Sequence, residues 1–175
     1  MPSGKRSGAP SAWRGAPKGE PIAGQYPQRN FHAGGREPGV IRKSDTRPFS
    51  GFFQYAQPIT ARGAVFIETA SYDAISTVAE IAGGCRLVAF TTGLGTPAGC
   101  AIAPVVKIAG NQDTYTHLND MVDIDTSAAL RGERSMPALA GELLYCLLEV
   151  CSRRPCKAER NKADVMAIDQ YCVGS

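Results

Sequence analysis

Two short segments rich in β-branched and aromatic residues flank a segment with helical periodicity, and this order restricts the folds open to the chain. GAVFIE at 63–68 and RLVAFTT at 86–92 have the composition of buried strands. Between them, SYDAISTVAEIAGG has apolar residues at helical spacing, with Ser71 or Asp73 as the expected cap. A strand, a helix and a strand within about thirty residues form a βαβ unit with parallel strands. The pattern therefore predicts an α/β fold, a mostly parallel, Rossmann-like sheet with helices packed on it.

Further elements are expected in the second half of the chain. Ser135 is positioned to cap a helix whose first turn contains Pro137, and Pro155 is expected to end that helix. Its buried stripe is expected to consist of Leu139, Leu143, Cys146, Leu147 and Val150. The other expected elements are a strand at PVVKI (104–108), a short helix or loop at NQDTYTHLND (111–120), a strand at MVDID (121–125) and a short strand at DVMAI (164–168).

The composition divides the chain near residue 48. Residues 1–48 contain 8 Gly and 7 Pro, with 9 basic and 3 acidic side chains, which is typical of unstructured chain. We expect a disordered, basic leader at 1–48 and an α/β domain at 49–175. Because the positive charge belongs to the leader and the rest is mildly acidic, nucleic-acid binding by the domain is not favoured.

Neither a secretory signal nor a membrane span is visible in the sequence, since no apolar run has the required length. The six cysteines form no C-x-x-C pair and are expected to be free thiols, many of them buried. These features indicate a cytoplasmic protein without a membrane partner.

A glycine-rich turn follows the second predicted strand, in FTTGLGTPAGCAIAPVVKI at 90–108. The carboxyl ends of parallel strands are where open α/β sheets bind their ligands. A dinucleotide fingerprint requires G-x-G-x-x-G before a helix, whereas this turn has one residue too many and contains a proline. Nucleotide binding is therefore not favoured.

The same turn has the groups that a carboxylate or a hydroxylated acid requires. Gly93, Gly95 and Gly99 allow positive φ and bring backbone N–H donors close to a ligand. Hydroxyl and charged donors are expected from Thr91, Thr92, Thr96 and Lys107. The alternative is a glycine-rich corner beside a lysine that extends to solvent. Both interpretations fit the residues alone.

Asp123 and Asp125 follow each other at alternate positions of a predicted strand end. In an extended chain they point to the same side, where they could hold a divalent metal or position a base. The alternative is a solvated strand end without chemistry.

Several segments resemble the C-terminal region of the D-galactarate and altronate dehydratase family, also called altronate hydrolases. AGGCRLVAFTTGLGTPAGCAIAPVVKIAGN (82–111) resembles that family's F-T-T-G-R-G-T-P-x-G and A-P-x-x-K words, often followed by Asn, here Asn111. YAQPITARGAVFIETASYDAIST (55–77), DMVDIDTSAALRGE (120–133) and GELLYCLLEVCSRRPCKAE (141–159) resemble its flanking segments in the same order.

The resemblance implies a hydro-lyase that dehydrates a sugar acid, galactarate or altronate, to a 2-keto-3-deoxy acid. It implies that the 91–99 turn and Asn111 bind the substrate, that Lys107 balances its charge, and that Asp123 holds a hydroxyl or a metal-bound water. A divalent metal, iron or manganese, is implied as cofactor. Members of the family are much longer, so the chain is expected to be a fragment that is inactive alone and needs a separate upstream domain or subunit.

The chain also departs from the family's pattern. The family's arginine between the first two glycines is Leu94 here, its D-T-P is 68–70 (Glu-Thr-Ala), and its N-A-G is 125–127 (Asp-Thr-Ser). These changes leave a second class of function open, a sugar-acid-binding or assembly domain without chemistry of its own.

Overall fold

The computed structural model of the protein describes residues 49–69 and 72–168. The expected leader at 1–48 and the expected cap Ser71 lie outside the described residues. Within them, the strands in chain order are β1 (Gly51–Phe53), β2 (Val65–Ile67), β3 (Val88–Thr92), β4 (Val105–Ala109) and β5 (Ile124–Asp125). The helices in chain order are α1 (Asp73–Ala82), α2 (Gln112–His117), α3 (Ser127–Leu130), α4 (Met136–Cys151) and α5 (Lys157–Arg160).

A three-stranded parallel sheet in the order β3-β4-β5 carries the domain. All five residues of the central strand β4 are buried, because β3 and β5 cover its edges and helices cover its faces. Parallel strands with both faces covered read as continuous apolar runs, as PVVKI does. The predicted α/β class, with helices packed on a parallel sheet, is confirmed.

The predicted βαβ unit is wrong. β2 does not join β3 but pairs with β1 in a separate two-stranded parallel sheet, in which Phe52 is opposite Phe66. The rings of Phe49, Phe52 and Phe66 contact one another with centroids 5.8–6.2 Å apart, and these contacts favour the local pairing. A strand of three residues forms too few ladder bonds to fix its partner by sequence pattern alone.

The start of α1 also differs from the prediction. Tyr72 occupies the cap position without a side-chain hydrogen bond, and Asp73 lies in the first turn. Asp73 is thus not the cap, although a carboxylate in the first turn still interacts favourably with the helix dipole. The predicted stop is confirmed, since the helix ends at Gly83 and Gly84 follows with φ +112°.

The later helices are close to their predicted positions. The segment 111–120 contains the short helix α2, and Ser135 caps α4 by accepting the N–H of Ala138 at 3.4 Å. α4 ends at Cys151, before the predicted stop at Pro155. In the predicted stripe Leu139 and Val150 are buried, while Leu143, Cys146 and Leu147 are half-buried.

Two other elements are shorter than predicted. β5 contains only the last two residues of MVDID, and residues 164–168 form no strand. The chain just before that segment instead crosses the glycine-rich turn. The backbone of Ala163 packs directly on Gly99 there. A chain that crosses the turn in this way does not run beside a sheet edge.

The core lies between the sheet, the carboxyl half of α4 and α5. Its buried residues are Val88, Cys100, Val105, Val106, Val150, Cys156 and Ala158. Five cysteines within the described ranges are free thiols, of which Cys100 and Cys156 are buried and Cys151 is exposed. No helix within the described ranges is long and apolar enough to span a membrane.

The contact between Gly99 and Ala163 generates a stability prediction with a matched control. A Cβ on Gly99 would lie 2.0 Å from the carbonyl oxygen of Ala163, whereas a Cβ on Gly93 would meet nothing within 4 Å. Gly99→Ala should therefore lower the free energy of unfolding by roughly 1–3 kcal/mol, as overpacking does. Gly93→Ala should change it by less than about 0.5 kcal/mol. Urea unfolding followed by circular dichroism measures both values, and equal effects would contradict the close approach.

Candidate functional site

The carboxyl ends of the three parallel strands meet at one edge of the sheet. Thr92 ends β3 and leads into the glycine-rich turn, Ala109 ends β4 before Asn111, and Asp125 ends β5. Because Thr92 is opposite Ala109 and Ala109 is opposite Asp125, these segments lie side by side. The turn therefore has the position at the sheet edge that the sequence predicts for it.

The turn is held in shape by two threonines and one glycine. Thr92 Oγ1 accepts the N–H of Gly95 at 2.9 Å, and Thr114 Oγ1 of α2 donates to the carbonyl of Gly93 at 2.6 Å. Gly95 has φ +86°, and a Cβ there would lie 2.2 Å from Leu118 Cδ1. Both the backbone angle and the lack of space therefore require glycine at position 95.

The other two glycines of the turn, Gly93 and Gly99, do not have positive φ. Within the described ranges, the glycines with positive φ are Gly63, Gly84, Gly95 and Gly132. Gly99 is instead required by the close approach of Ala163, and Gly93 faces open space. A glycine pattern cannot distinguish these causes, because each of them favours the same residue.

Backbone donors are free where the turn is most exposed. The N–H groups of Gly93, Leu94 and Thr96 donate to no residue within the described ranges. Gly93 is exposed, and the Leu94 side chain is 71% exposed. The Thr96 side chain is buried, and its Oγ1 accepts the N–H of Ala98 at 3.2 Å. The turn can thus offer N–H groups to an anion, whereas the Thr96 hydroxyl is enclosed within the domain.

Thr91 and Asn111 have different surroundings at the same edge. Side chains alternate along a strand, so the exposed Thr91 points to the face opposite Thr92. The Asn111 side-chain oxygen accepts the N–H of Asp113 at 2.9 Å and caps α2. The capping role of Asn111 leaves its amide nitrogen as the group available to a ligand.

Lys107 lies inside the domain. Its side chain is 1% exposed, and it is opposite Phe90 rather than at the end of the strand. Burial lowers the pKa of Lys107, while the nearby Asp123 and Cys156 act in the opposite direction. The lysine that the sequence assigns to the substrate's charge is therefore buried beneath the edge.

Asp123 joins three segments through backbone hydrogen bonds. Its Oδ2 accepts the N–H of Lys107 at 2.8 Å, and its Oδ1 accepts the N–H of Lys157 at 2.9 Å. The Lys157 side chain folds back on the same segment and donates to the carbonyl of Val122 at 2.7 Å. Asp123 thus links β4 to α5 and uses both carboxylate oxygens for this purpose.

Asp125 binds Ser127, the first residue of the helix that follows it. Its Oδ1 accepts the N–H of Ser127 at 2.8 Å and the Ser127 hydroxyl at 2.6 Å. Within residues 49–69 and 72–168, no three His, Cys, Asp or Glu side chains form a cluster that could hold a metal ion. Asp123 and Asp125 are thus both bonded to backbone N–H groups.

Three supporting residues were not identified from the sequence. Thr114 and Leu118 hold the turn from α2, and the Thr126 hydroxyl donates to the carbonyl of Ala109 at 2.8 Å. The available signal was a polar segment at 111–120 with threonine at a helical position, which is common on solvated helices. Only the packing of α2 against the turn reveals the role of Thr114.

The burial of Lys107 leads to a pH-dependent stability prediction. Lys107→Met removes a buried cationic group and should raise the free energy of unfolding at pH 7 by about 1 kcal/mol. In the wild type, the folded-state pKa lies below the usual 10.5, so the unfolded state binds more protons between the two values. Wild-type stability should therefore rise with pH in this window, and the advantage of the variant should shrink towards pH 10.

Urea unfolding of both proteins at pH 7 and pH 10 measures this difference. The exposed Lys162 is the matched control, and Lys162→Met should change the free energy of unfolding by less than about 0.5 kcal/mol at either pH. A Lys107→Met advantage that does not depend on pH would contradict the lowered pKa.

The chain is similar in sequence to one family of known proteins. The family model described as "D-galactarate/Altronate dehydratase, C-terminal" matches residues 36–173. The altronate dehydratase of Bacillus subtilis (strain 168) is 27% identical over 130 residues, which are 74% of this chain and 26% of that protein. The galactarate dehydratase (L-threo-forming) of Escherichia coli (strain K12) is 29% identical over 114 residues, 65% of this chain and 22% of that protein.

A third relative is named for a different activity. It is the (2R)-sulfolactate sulfo-lyase subunit beta of Chromohalobacter salexigens, 30% identical over 109 residues, 62% of this chain and 28% of that protein. The chain thus spans about a quarter of the length of each of these three relatives. The family match covers most of the chain and includes the glycine-rich turn. The chain therefore belongs to the family of D-galactarate and altronate dehydratases and corresponds to their C-terminal domain.

Proposed function

We propose that this domain is part of a hydro-lyase that dehydrates galactarate or altronate to a 2-keto-3-deoxy acid. The observation that carries the proposal is the family match over residues 36–173, together with relatives that are altronate and galactarate dehydratases. The reaction removes a proton next to a carboxylate and expels the neighbouring hydroxyl. Because that proton is weakly acidic, the negative charge that develops must be stabilised by nearby donors or cations.

The carboxyl edge of the sheet is the proposed binding site for the substrate's carboxylate and hydroxyl groups. The free N–H groups of Gly93 and Leu94 support this assignment, because both are exposed donors on a turn of fixed shape. Thr91, Thr92 and Asn111 supply polar groups at the same edge. Gly95, Thr96 and Gly99 contribute through the shape of the turn.

Lys107 and Asp123 have less direct roles in this proposal. Lys107 supplies positive charge from beneath the edge, and Asp123 holds the strand that carries it. The base, the acid and the ligands of the metal, iron or manganese, come from the part of the relatives that this chain does not cover. Bound there, the metal would stabilise the charge that develops on the substrate. We place this reaction in the cytoplasm, where the free thiols of the described cysteines stay reduced.

A second candidate function is sugar-acid binding or assembly without catalysis. One observation favours it: the family's arginine in the turn is replaced by Leu94, whose apolar side chain is exposed at the proposed site. An arginine there would offer two parallel hydrogen bonds to a carboxylate, which leucine cannot form. The two candidates differ in whether turnover appears once the missing region is supplied.

Reconstitution of turnover tests the dehydratase proposal. The 175-residue chain alone should show no turnover of galactarate or altronate with iron, manganese or magnesium, because it lacks a positioned base and acid. Addition of the upstream region of the Bacillus subtilis altronate dehydratase should produce turnover, and Leu94→Arg should increase it. The readout is formation of the 2-keto acid against a control without protein. Turnover by the chain alone would contradict the proposal, and binding without turnover in the mixture would favour the second candidate.

Substrate binding by the turn has its own test. Thr92→Val in the reconstituted assembly should weaken sugar-acid binding by about 1.5–3 kcal/mol, the usual contribution of a hydrogen bond to a charged group. The exposed Thr60 lies outside the turn, and Thr60→Val makes the same chemical change without an expected effect. Isothermal titration calorimetry measures both affinities. Equal affinities in the two variants, with folded protein, would remove Thr92 from the site.

A further inference from the structure

Helix α4 is apolar on both of its sides. One side contributes Leu139 and Val150 to the interior of the domain. On the other side Leu144, Tyr145 and Leu148 are 59%, 65% and 56% exposed. A helix that is apolar around its circumference is normally buried, and contiguous exposed apolar surface marks an interaction site.

The charged residues of α4 do not make this side polar. Only Glu142 and Glu149 are charged among its sixteen residues. Arg134 forms two hydrogen bonds with the carboxylate of Glu142, and Arg154 pairs with Glu149 from the other end of the helix. Both carboxylates are thus neutralised within the domain. An apolar partner would meet no uncompensated charge there.

Gly141 is a second, independent feature of the same side. It lies three and four residues before Leu144 and Tyr145, and so on the same face of the helix. Glycine in a helix interior is about 1 kcal/mol less favourable than alanine. Gly141 has no positive φ, and a Cβ there would meet nothing within 4 Å. The described domain gives no reason for a glycine, whereas a closely approaching partner backbone would give one.

We propose that the face formed by Gly141, Leu144, Tyr145 and Leu148, named here the α4 face, docks on an apolar surface of the upstream region of a dehydratase. This inference rests on the proposed function. The matched part is 26% of the Bacillus subtilis relative, so most of that protein lies outside this domain and must contact it to complete a site. The sulfo-lyase relative is itself named as a subunit. Apolar surface at the domain boundary, with its charges already paired, fits an interface of the obligate type.

Association without substrate tests the α4 face directly. The full chain is coexpressed with the upstream region of the Bacillus subtilis altronate dehydratase, and the complex is analysed by size-exclusion chromatography with light scattering. Leu144→Glu combined with Leu148→Glu should weaken the complex about tenfold or more, because charges would be buried without partners. Ile102→Glu is the matched control, since Ile102 is 74% exposed and lies beside α1 rather than on α4. It should leave the complex unchanged.

A fused protein removes the dependence on a separately folded fragment. Residues 36–173 of this chain replace the matched part of the Bacillus subtilis enzyme, with or without the two glutamate substitutions. In the isolated chain the substitutions should shift the unfolding midpoint by no more than a few degrees, because the face is exposed. In the fused protein the same substitutions should lower the unfolding midpoint by clearly more than in the isolated chain. Equal shifts in the two proteins would overturn the proposal.

Other outcomes separate the docking proposal from the proposed function. A complex that forms through the α4 face but shows no turnover would leave the docking intact and remove the dehydratase activity. Turnover in a mixture that the two glutamate substitutions do not affect would support the dehydratase activity and overturn the docking proposal. A homodimer of this chain that the glutamates dissociate would identify a second copy as the occupant and overturn the proposal.

Discussion

Two backbone N–H groups, one from β4 and one from α5, meet on the carboxylate of Asp123. This one side chain fixes the central strand relative to the short helix that covers it, and the Lys157 ammonium strengthens the same junction. Charge-assisted hydrogen bonds are stronger than neutral ones. The buried position of Lys107, the edge that carries the turn and the path of the chain after α5 all depend on this junction. Asp123 has a structural use whether or not it also acts in catalysis.

The parts of the fold that could be predicted from the sequence are those set by local pattern. The apolar run of PVVKI identified a strand, and Ser135 with Pro137 identified the start of α4, because strand composition and capping depend on near neighbours. The pairing of β2 could not be predicted, since Val65–Ile67 fits either neighbour and aromatic contacts with Phe49 and Phe52 decide between them. The same limit applies to the glycines of the turn. The close approach of Leu118 to Gly95 and of Ala163 to Gly99 leaves no space for a side chain at these two positions, and neither contact is visible in the sequence.

The position of the glycine-rich turn could be predicted, but the surroundings of its side chains were harder to predict. The order of strand and turn was sufficient to place Thr92 at the carboxyl edge. The direction of Lys107 was not predictable, because a lysine on a strand can extend to solvent or lie inside. Sequences depart from simple rules where function is involved. Here the departures are a buried lysine beneath the edge, an exposed leucine on the turn and an apolar helix face.

The contact between Gly99 and Ala163 has a consequence for where the domain can be shortened. The carbonyl of Ala163 covers the base of the turn, although it lies more than sixty residues later in the chain. Proteolytic trimming from the carboxyl end that passes Ala163 would uncover this base while leaving β3, β4 and β5 intact. The sheet would keep its strands but the turn would lose its support. The last helix and the few residues after it therefore support the glycine-rich turn, although they lie far from it in sequence.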